Sequence, residues 1–297
     1  KPMIDVESAR TFLAVIETGS FQAAAGKGNV TQSTVSARIK TLEERLGQRI
    51  FARSKAGAQL TVHGYHFERY ARTIVRAWEQ GRQQVGIPEV FDDMLVIGGQ
   101  YNLWARFLTQ WLVEMETSLP NVAFRAEAGT ALALSRLLSE GLLDIAVLHQ
   151  PRLRTDIVVE HLMDDELVLV TTDPGGGFED RYVFVDWGDE FRDMHAQQMP
   201  KFMEPRTSVS IGFFGPSYLI AANAAGFLPR RLAEPHLEAG FLKVVPDAPT
   251  LTFPVFVAYQ AESDSASMAP ALAILKAKAE LAASGALPKP FWSRPPE

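Results

Sequence analysis

Residues 31–47, TQSTVSARIKTLEERLG, place Val35, Ile39, Leu42 and Leu46 at i, i+4, i+7 and i+11, which is one face of a helix. At about 100° per residue, the opposite face collects Ser33, Ala37, Lys40 and Glu44, with Ser36 on one flank and Thr34 and Thr41 on the other. A helix of this kind packs by one side only. Its first two turns keep a short, hydroxyl-rich surface with a lysine behind it, narrow enough to press into a groove. Thr31 is the natural N-cap, since its hydroxyl can accept an orphan backbone N–H, and Gly47 supplies the stop.

The preceding residues make this helix the third of a set. Residues 8–17 read as a helix whose apolar side is Phe12, Leu13, Val15 and Ile16, and Gly19 ends it. Ser20 can cap a short alanine-rich helix over 21–25, and Gly26 and Gly28 then break the pattern. In isolation the 31–46 helix would suit a small bundle equally well. Helix, short helix, tight turn and polar-faced helix together form the helix-turn-helix layout, whose second unit lies in the DNA major groove. The stretch 51-FARSKAGAQLT-61 adds a basic ribbon suited to a wing, with Arg53 and Lys55 as its phosphate partners.

From Phe67 the chain spaces Phe67, Ala71, Ile74, Trp78, Gly81 and Val85 by alternating fours and threes. Such a seam serves a two-helix dimer, which a reader of symmetric DNA needs, or the packing of one helix on its own domain. After Ile87-Pro88-Glu89 the grammar changes to alternating strands and helices. Strands are expected at 94–97, 122–127, 144–148, 167–171, 182–185, 208–211 and 253–258, and helices after Asn102 (carrying Leu103, Phe107, Leu108 and Leu112) and over 131–140, 189–198, 217–225 and 268–283. Alternation of this kind implies parallel pairing with helices on both faces of a sheet, and two such lobes with crossings near Pro151 and Phe253 form a clamshell.

Charge separates the same two parts. Up to Val85 the chain holds thirteen lysines and arginines against seven acids, a surplus of six; the whole chain stands at −6, which leaves −12 for the remainder. A basic head on an acidic body indicates that only the head meets a polyanion. The absence of cysteine excludes disulfide frameworks, thiolate zinc sites and thiol catalysis. No window offers the roughly 18 uninterrupted apolar residues of a membrane helix, so no membrane partner is expected and the reading is cytoplasmic.

The run Gly19-Ser20-Phe21, Ala24-Ala25, Thr31-Gln32-Ser33, Val35-Ser36, Ile39, Leu42-Glu43, Leu46-Gly47, Phe51, Arg53, Leu60-Thr61 and Gly64 resembles the N-terminal signature of LysR-type transcriptional regulators. The resemblance covers nearly the whole chain. It implies an α+β multi-domain protein: a winged helix-turn-helix over 1–62, a linker helix and hinge over 63–91, and a two-lobed α/β effector domain like a periplasmic binding protein over 92–297. It also implies a dimer through the linker helix, a homotetramer of two dimers, double-stranded DNA with a dyad-symmetric site, and RNA polymerase as a further partner. By that analogy Gln32, Ser33 and Ser36 approach base edges, with Thr31, Thr34 and Lys40 beside them, and Arg53 is the wing contact. Two positions depart from the pattern: Ala37 stands where many relatives carry a longer polar residue, and Gly26-Lys27-Gly28-Asn29 replaces an apolar spacing. Arg38 falls toward the flank of Thr41 and Arg45 and is assigned to phosphate.

The ligand of the body has to be argued from its own residues. Gly99, Gln100, Tyr101 and Asn102 lie where a strand enters a helix, and Gly129-Thr130 holds the equivalent place after the next strand, where Thr130 also serves as an N-cap. His149 ends a strand at the lobe crossing, and Trp187 and Phe214 follow strands of the second half. An aromatic-lined cleft with few basic residues suits an effector with an apolar or aromatic part. Pro174-Gly175-Gly176-Gly177 lacks the Lys-Ser/Thr of a phosphate loop, His63 and His66 have no third metal ligand, and no nucleophile elbow is present. Neither cofactor, metal nor enzymatic activity is expected. The competing reading is a cytoplasmic small-molecule-binding α/β protein whose N-terminal helices serve only oligomerisation.

Overall fold

The structure is a computed structural model, described for residues 4–54, 57–86, 90–152, 156–173, 175, 177–210, 212–263 and 265–288. The chain divides into two compact units, Lys1–Ile87 with the short segment Ser139–Leu142, and Pro88–Leu138 with Leu143–Glu297.

In the first unit, α1 (Val6–Thr18) starts at Asp5, whose carboxylate accepts from the Ser8 amide, and stops at Gly19 in the left-handed region (φ 71°). Helix α2 (Phe21–Lys27) is capped by Ser20 through the Ala23 amide, and α3 (Gln32–Leu46) by Thr31 through the Thr34 amide at 3.2 Å. Asn29 takes φ 50° in the turn between them, a conformation asparagine tolerates better than most residues. Strands β1 (Phe51–Ser54) and β2 (Gly57–Leu60) pair antiparallel, with Phe51 opposite Leu60, and α4 (Val62–Val85) follows. One core joins these pieces: Phe12 and Val15 of α1, Ala24 and Ala25 of α2, Val35, Ile39 and Leu42 of α3, Ile50 and Phe51, and Phe67, Ala71 and Val75 of α4. Truncating one of the large members costs about 2–5 kcal/mol. Gly64 has to be glycine, because a Cβ there would stand 2.2 Å from the Ile50 carbonyl oxygen.

The predicted seam of α4 is divided. Phe67 and Ala71 face their own domain and Ile74 packs partly against it, while Trp78 and Val85, beyond that core, are 53% and 90% exposed.

The second unit begins with β3 (Asp93–Gln100), α5 (Tyr101–Leu103), a π-type turn over Trp104–Leu108 and α6 (Thr109–Ser118). There follow β4 (Val122–Gly129), α7 (Ala131–Ser139), β5 (Ile145–Leu148), β6 (Ile157–Thr171), β7 (Val183–Val185), α8 (Asp189–Gln198) and β8 (Thr207–Val209). The chain continues through α9 (Gly215–Ala221), β9 (Ala225–Pro229), α10 (Arg230–Glu238), β10 (Lys243–Val244), β11 (Leu251–Gln260) and α11 (Met268–Ala283). Among the described residues one mixed sheet runs β10-β6-β11-β5-β3-β4, with β9 on the other edge of β6. Only β3 pairs parallel, with β4 and β5; β5–β11, β11–β6 and β6–β9 are antiparallel.

In the large sheet the all-parallel expectation therefore holds for the first three strands alone. The departure has a simple cause: β6 and β11 are long strands that run through both lobes, in opposite directions, and each lobe builds outward from them. The first lobe packs Leu95, Ile97, Leu103, Phe107, Trp111 and Leu275 on one sheet face and Val96, Leu134, Leu138 and Leu148 on the other. The second lobe packs Leu169, Val185, Phe191, Leu219, Phe227 and Phe253 into a separate core. The strands expected at 182–185 and 208–211 appear as β7 and β8, paired parallel in a sheet of their own.

Candidate functional site

Helix α3 presents the face that its spacing requires. Val35, Ile39 and Leu42 are buried at 1%, 2% and 0% exposure, whereas Thr31, Gln32, Ser33, Ser36, Ala37 and Lys40 are exposed and Thr34 is half-buried. Thr31 Oγ1 lies 2.8 Å from Ser33 Oγ and 2.9 Å from Thr34 Oγ1, so the first turn carries a linked row of hydroxyls. Glu43 fixes the far end, its Oε1 accepting from the Ile50 and Phe51 amides at 2.9 and 3.2 Å. The hairpin is tied in turn to the α1–α2 corner, where the Ala58 amide donates to the Gly19 carbonyl at 2.9 Å. Lys40 lies 3.8 Å from Glu44 with both side chains largely exposed, a pairing too solvated to immobilise the lysine.

Arg38 is turned differently from its assignment. Its Nη1 donates to Thr11 Oγ1 at 3.2 Å and Glu7 Oε2 at 3.4 Å on α1. Arg45 reaches Asp5 at 3.0 Å, one of the contacts that, after the Ser8 amide, hold the Asp5 carboxyl below its ordinary range. Two arginines thus brace α3 on α1. Arg53 lies on β1 opposite Ala58; its side chain and the whole of Lys55 fall outside the described residues.

In the second unit, the strand-to-helix turn at Gly99–Asn102 is built from close contacts. A Cβ on Gly99 would stand 2.0 Å from Leu108 Cδ1, and Trp104 Nε1 donates to the Gly99 carbonyl at 3.1 Å. Gln100 Oε1 accepts from the His149 amide at 2.5 Å, and Asn102 Nδ2 lies 2.9 Å from His149 Nε2. Nδ1 of the same ring is 3.0 Å from the Pro254 carbonyl and the ring stacks on Phe253 at 3.8 Å. These partners define a neutral ring with the proton on Nδ1, donating to Pro254, and Nε2 accepting from Asn102. Burial pushes the ring down to about 4, the nearby Asp165 charge only partly opposing it. Both nitrogens are occupied, so His149 fastens the turn to β11 and has no atom left for a ligand.

The other sequence-selected residues divide between surface and core. Tyr101 and Phe214 are 52% and 57% exposed. Thr130 is exposed and caps α7 by accepting from the Ala133 amide at 3.2 Å, beside a buried Gly129. Trp187 is buried in the second lobe, its indole N–H donated to the Phe227 carbonyl at 2.9 Å and its ring filling the space over Gly212. Gln150 hydrogen-bonds Glu190, which links the end of β5 to the start of α8, and burial raises the Glu190 carboxyl.

Sequence reasoning missed a buried ionic cluster at the lobe crossing. Arg231 of α10 grips Asp165 of β6 with two bonds of 3.0 Å, and Arg106 meets Glu234 at 2.6 Å. One signal was available: Arg106 is a charged residue one turn from Leu103 and next to Phe107, on the buried side of its helix.

A three-helix head with an exposed hydroxyl row and an antiparallel wing, followed by a two-lobed α/β body with twin crossing strands, defines a DNA-binding regulator with a ligand-binding domain. Residues 6–65 match the family described as "Bacterial regulatory helix-turn-helix protein, lysR family", and residues 90–174 the "LysR substrate binding domain". The chain belongs to the LysR family of transcriptional regulators. It is similar to the HTH-type transcriptional regulator HdfR of Salmonella newport (strain SL254), 27% identical over 269 residues that cover 89% of this chain and 95% of the relative. Among solved structures, ArgP from Mycobacterium tuberculosis superposes with TM-score 0.58 at 24% identity, and LysG from Corynebacterium glutamicum with bound effector Arg with 0.59 at 19%. Each alignment covers 93% of this chain and 98% of the other, and shows the shared fold. Among the described residues no helix is long and apolar enough to cross a membrane.

Proposed function

We propose that this regulator acts in the cytoplasm as a dimer on a dyad-symmetric double-stranded site, with one α3 in the major groove of each half-site and the wing on the phosphates. The observation that carries the reading is the exposure of Ser33, Ser36, Ala37 and Lys40 opposite a fully buried Val35, Ile39 and Leu42. Gln32, Ser33 and Ser36 are the base-edge candidates, and Thr31, Thr34, Lys40, Arg53 and Lys55 supply backbone contacts. Trp78 and Val85, uncovered on the distal half of α4, support pairing through that helix. Two such dimers then assemble into a tetramer.

A small-molecule effector lodges between the lobes against the Gly99–Asn102 turn and Gly129-Thr130, with Tyr101 and Phe214 as its aromatic contacts. Differential binding to open and closed lobes is what shifts the equilibrium between regulator states. LysG, which shares this fold and has been solved with bound effector Arg, supports the reading that a small molecule is captured.

The test is fluorescence anisotropy of the full-length protein on its own upstream fragment, across a salt series. The reading expects tight retention at low salt and a linear fall of log K with log salt. No retention of any upstream fragment at low salt contradicts it. For the effector, a thermal-shift screen stabilised only by small hydrophilic polyanions would overturn the aromatic assignment.

A further inference from the structure

The helix that leaves the Gly99–Asn102 turn is broken at two consecutive residues. Ala105 has ψ 120° and Arg106 takes φ 68°, a left-handed conformation rare outside glycine, asparagine and aspartate, in a side chain only 8% exposed. A buried, bulky residue is kept there only when its surroundings over-determine it, and such residues gather at functional and switching sites. The surroundings are the second lobe. Arg106 Nη1 donates to the Arg231 carbonyl at 2.9 Å and to Glu234 at 2.6 Å. Arg231 Nη1 returns a bond to the Ala105 carbonyl at 2.9 Å while its other nitrogens hold Asp165 of the crossing strand.

These bonds run from the kink to α10 and back. One turn upstream, Asn102 ties the same short helix to His149, and through it to β11 at Pro254. Three residues, Asn102, Ala105 and Arg106, therefore fasten α5 and the turn that follows it to both crossing strands and to α10. The grip is not saturated: Arg106 Nε is buried without a partner among the described residues. A partly satisfied ionic network costs less to open than a complete one.

We propose that Arg106 is a positioning residue for the effector response: its left-handed kink and its hold on Glu234 and the Arg231 carbonyl couple the Gly99–Asn102 turn to the placement of the second lobe. This rests on the reading of that turn as the effector site. Movement of the turn and movement of α10 are then one equilibrium, and a ligand that selects one arrangement of the turn selects one arrangement of the lobes.

The chain has no cysteine, so a pair introduced at Val113→Cys on α6 and Met203→Cys in the second lobe, both exposed, carries spin labels without background. Distances are measured by pulsed electron resonance in the full-length protein, diluted with unlabelled chains to suppress signals between subunits. Glycine adopts φ 68° freely, so Arg106→Gly keeps the kink accessible while removing the grip, and Glu234→Ala, at a half-buried position, removes the partner alone. Each variant is expected to move and broaden the interlobe distance, the double variant to do no more than either single one, and Arg106→Lys to recover the original distribution in part. Unchanged distributions in both single variants overturn the proposal, as do shifts that sum in the double. DNA retention by the unlabelled parent is measured alongside: its failure would sink the regulator reading and leave the distance result standing.

Discussion

Gly99 shows how tightly the turn from β3 into α5 is made. The methyl group of an alanine would meet Leu108, itself fully buried, at 2.0 Å, with Trp104 Nε1 at 3.1 Å behind it. Leu108 is enclosed on all sides and the Trp104 indole is held by the Gly99 carbonyl, so Gly99→Ala is expected to lower the unfolding free energy by about 1–3 kcal/mol, the usual cost of overpacking, as read from urea denaturation. Two buried titratable groups of the same lobe act in opposite directions. His149 stands at about 4 in the fold against 6.5 unfolded, so the unfolded chain binds its proton first and stability falls as pH drops from 6.5 toward 4. Asp144, pushed up to about 6 by burial from 3.8, contributes stability at low pH that is lost as pH rises through 6. Each is worth roughly 3 kcal/mol at about 1.4 kcal/mol per unit, so the two nearly offset one another between pH 6.5 and 4. Asp144→Asn uncovers the histidine: its denaturation midpoint is expected to fall more steeply with acidification over that interval than the parent's.

At the level of elements, legibility followed local signals. Ser20, Thr31, Gly19 and Gly47 are caps and stops that act within a few residues, and the structure uses each in that role. The pattern assigned no element between 226 and 252, where β9 and α10 lie; Pro235 inside α10 and the single glycine of β9 disguise both. Strand β6 is legible only over its apolar end, 167–171, because Glu160, His161 and Asp164–Glu166 interrupt the first ten residues; Glu160, Asp165 and Glu166 meet partners elsewhere in the fold, and His161 pairs with Asp164. The same limit explains Arg38. Helical angle puts it on a flank, and only the packed α1 reveals Glu7 and Thr11 waiting there. Arg38→Ala is accordingly expected to weaken DNA binding by loosening α3 while leaving the slope of log K against log salt unchanged. A slope reduced by about one would make Arg38 a phosphate contact instead.

For the whole molecule, charge and fold divide the work at the same place. The net positive head ends at Val85, where α4 ends, and the acidic remainder holds the lobes with their mixed sheet, a buried Arg–Asp pair and a half-buried Arg–Glu pair. The regulator account depends on the outer face of α3 being a reading surface. Ser33→Glu with Ser36→Glu places two carboxylates on that face without touching Val35, Ile39 or Leu42. Anisotropy of this double variant on the upstream fragment, at low salt and with its circular dichroism and unfolding midpoint checked against the parent, is the most direct measurement. Loss of retention with the fold intact is the predicted result; retention equal to that of the parent contradicts the account.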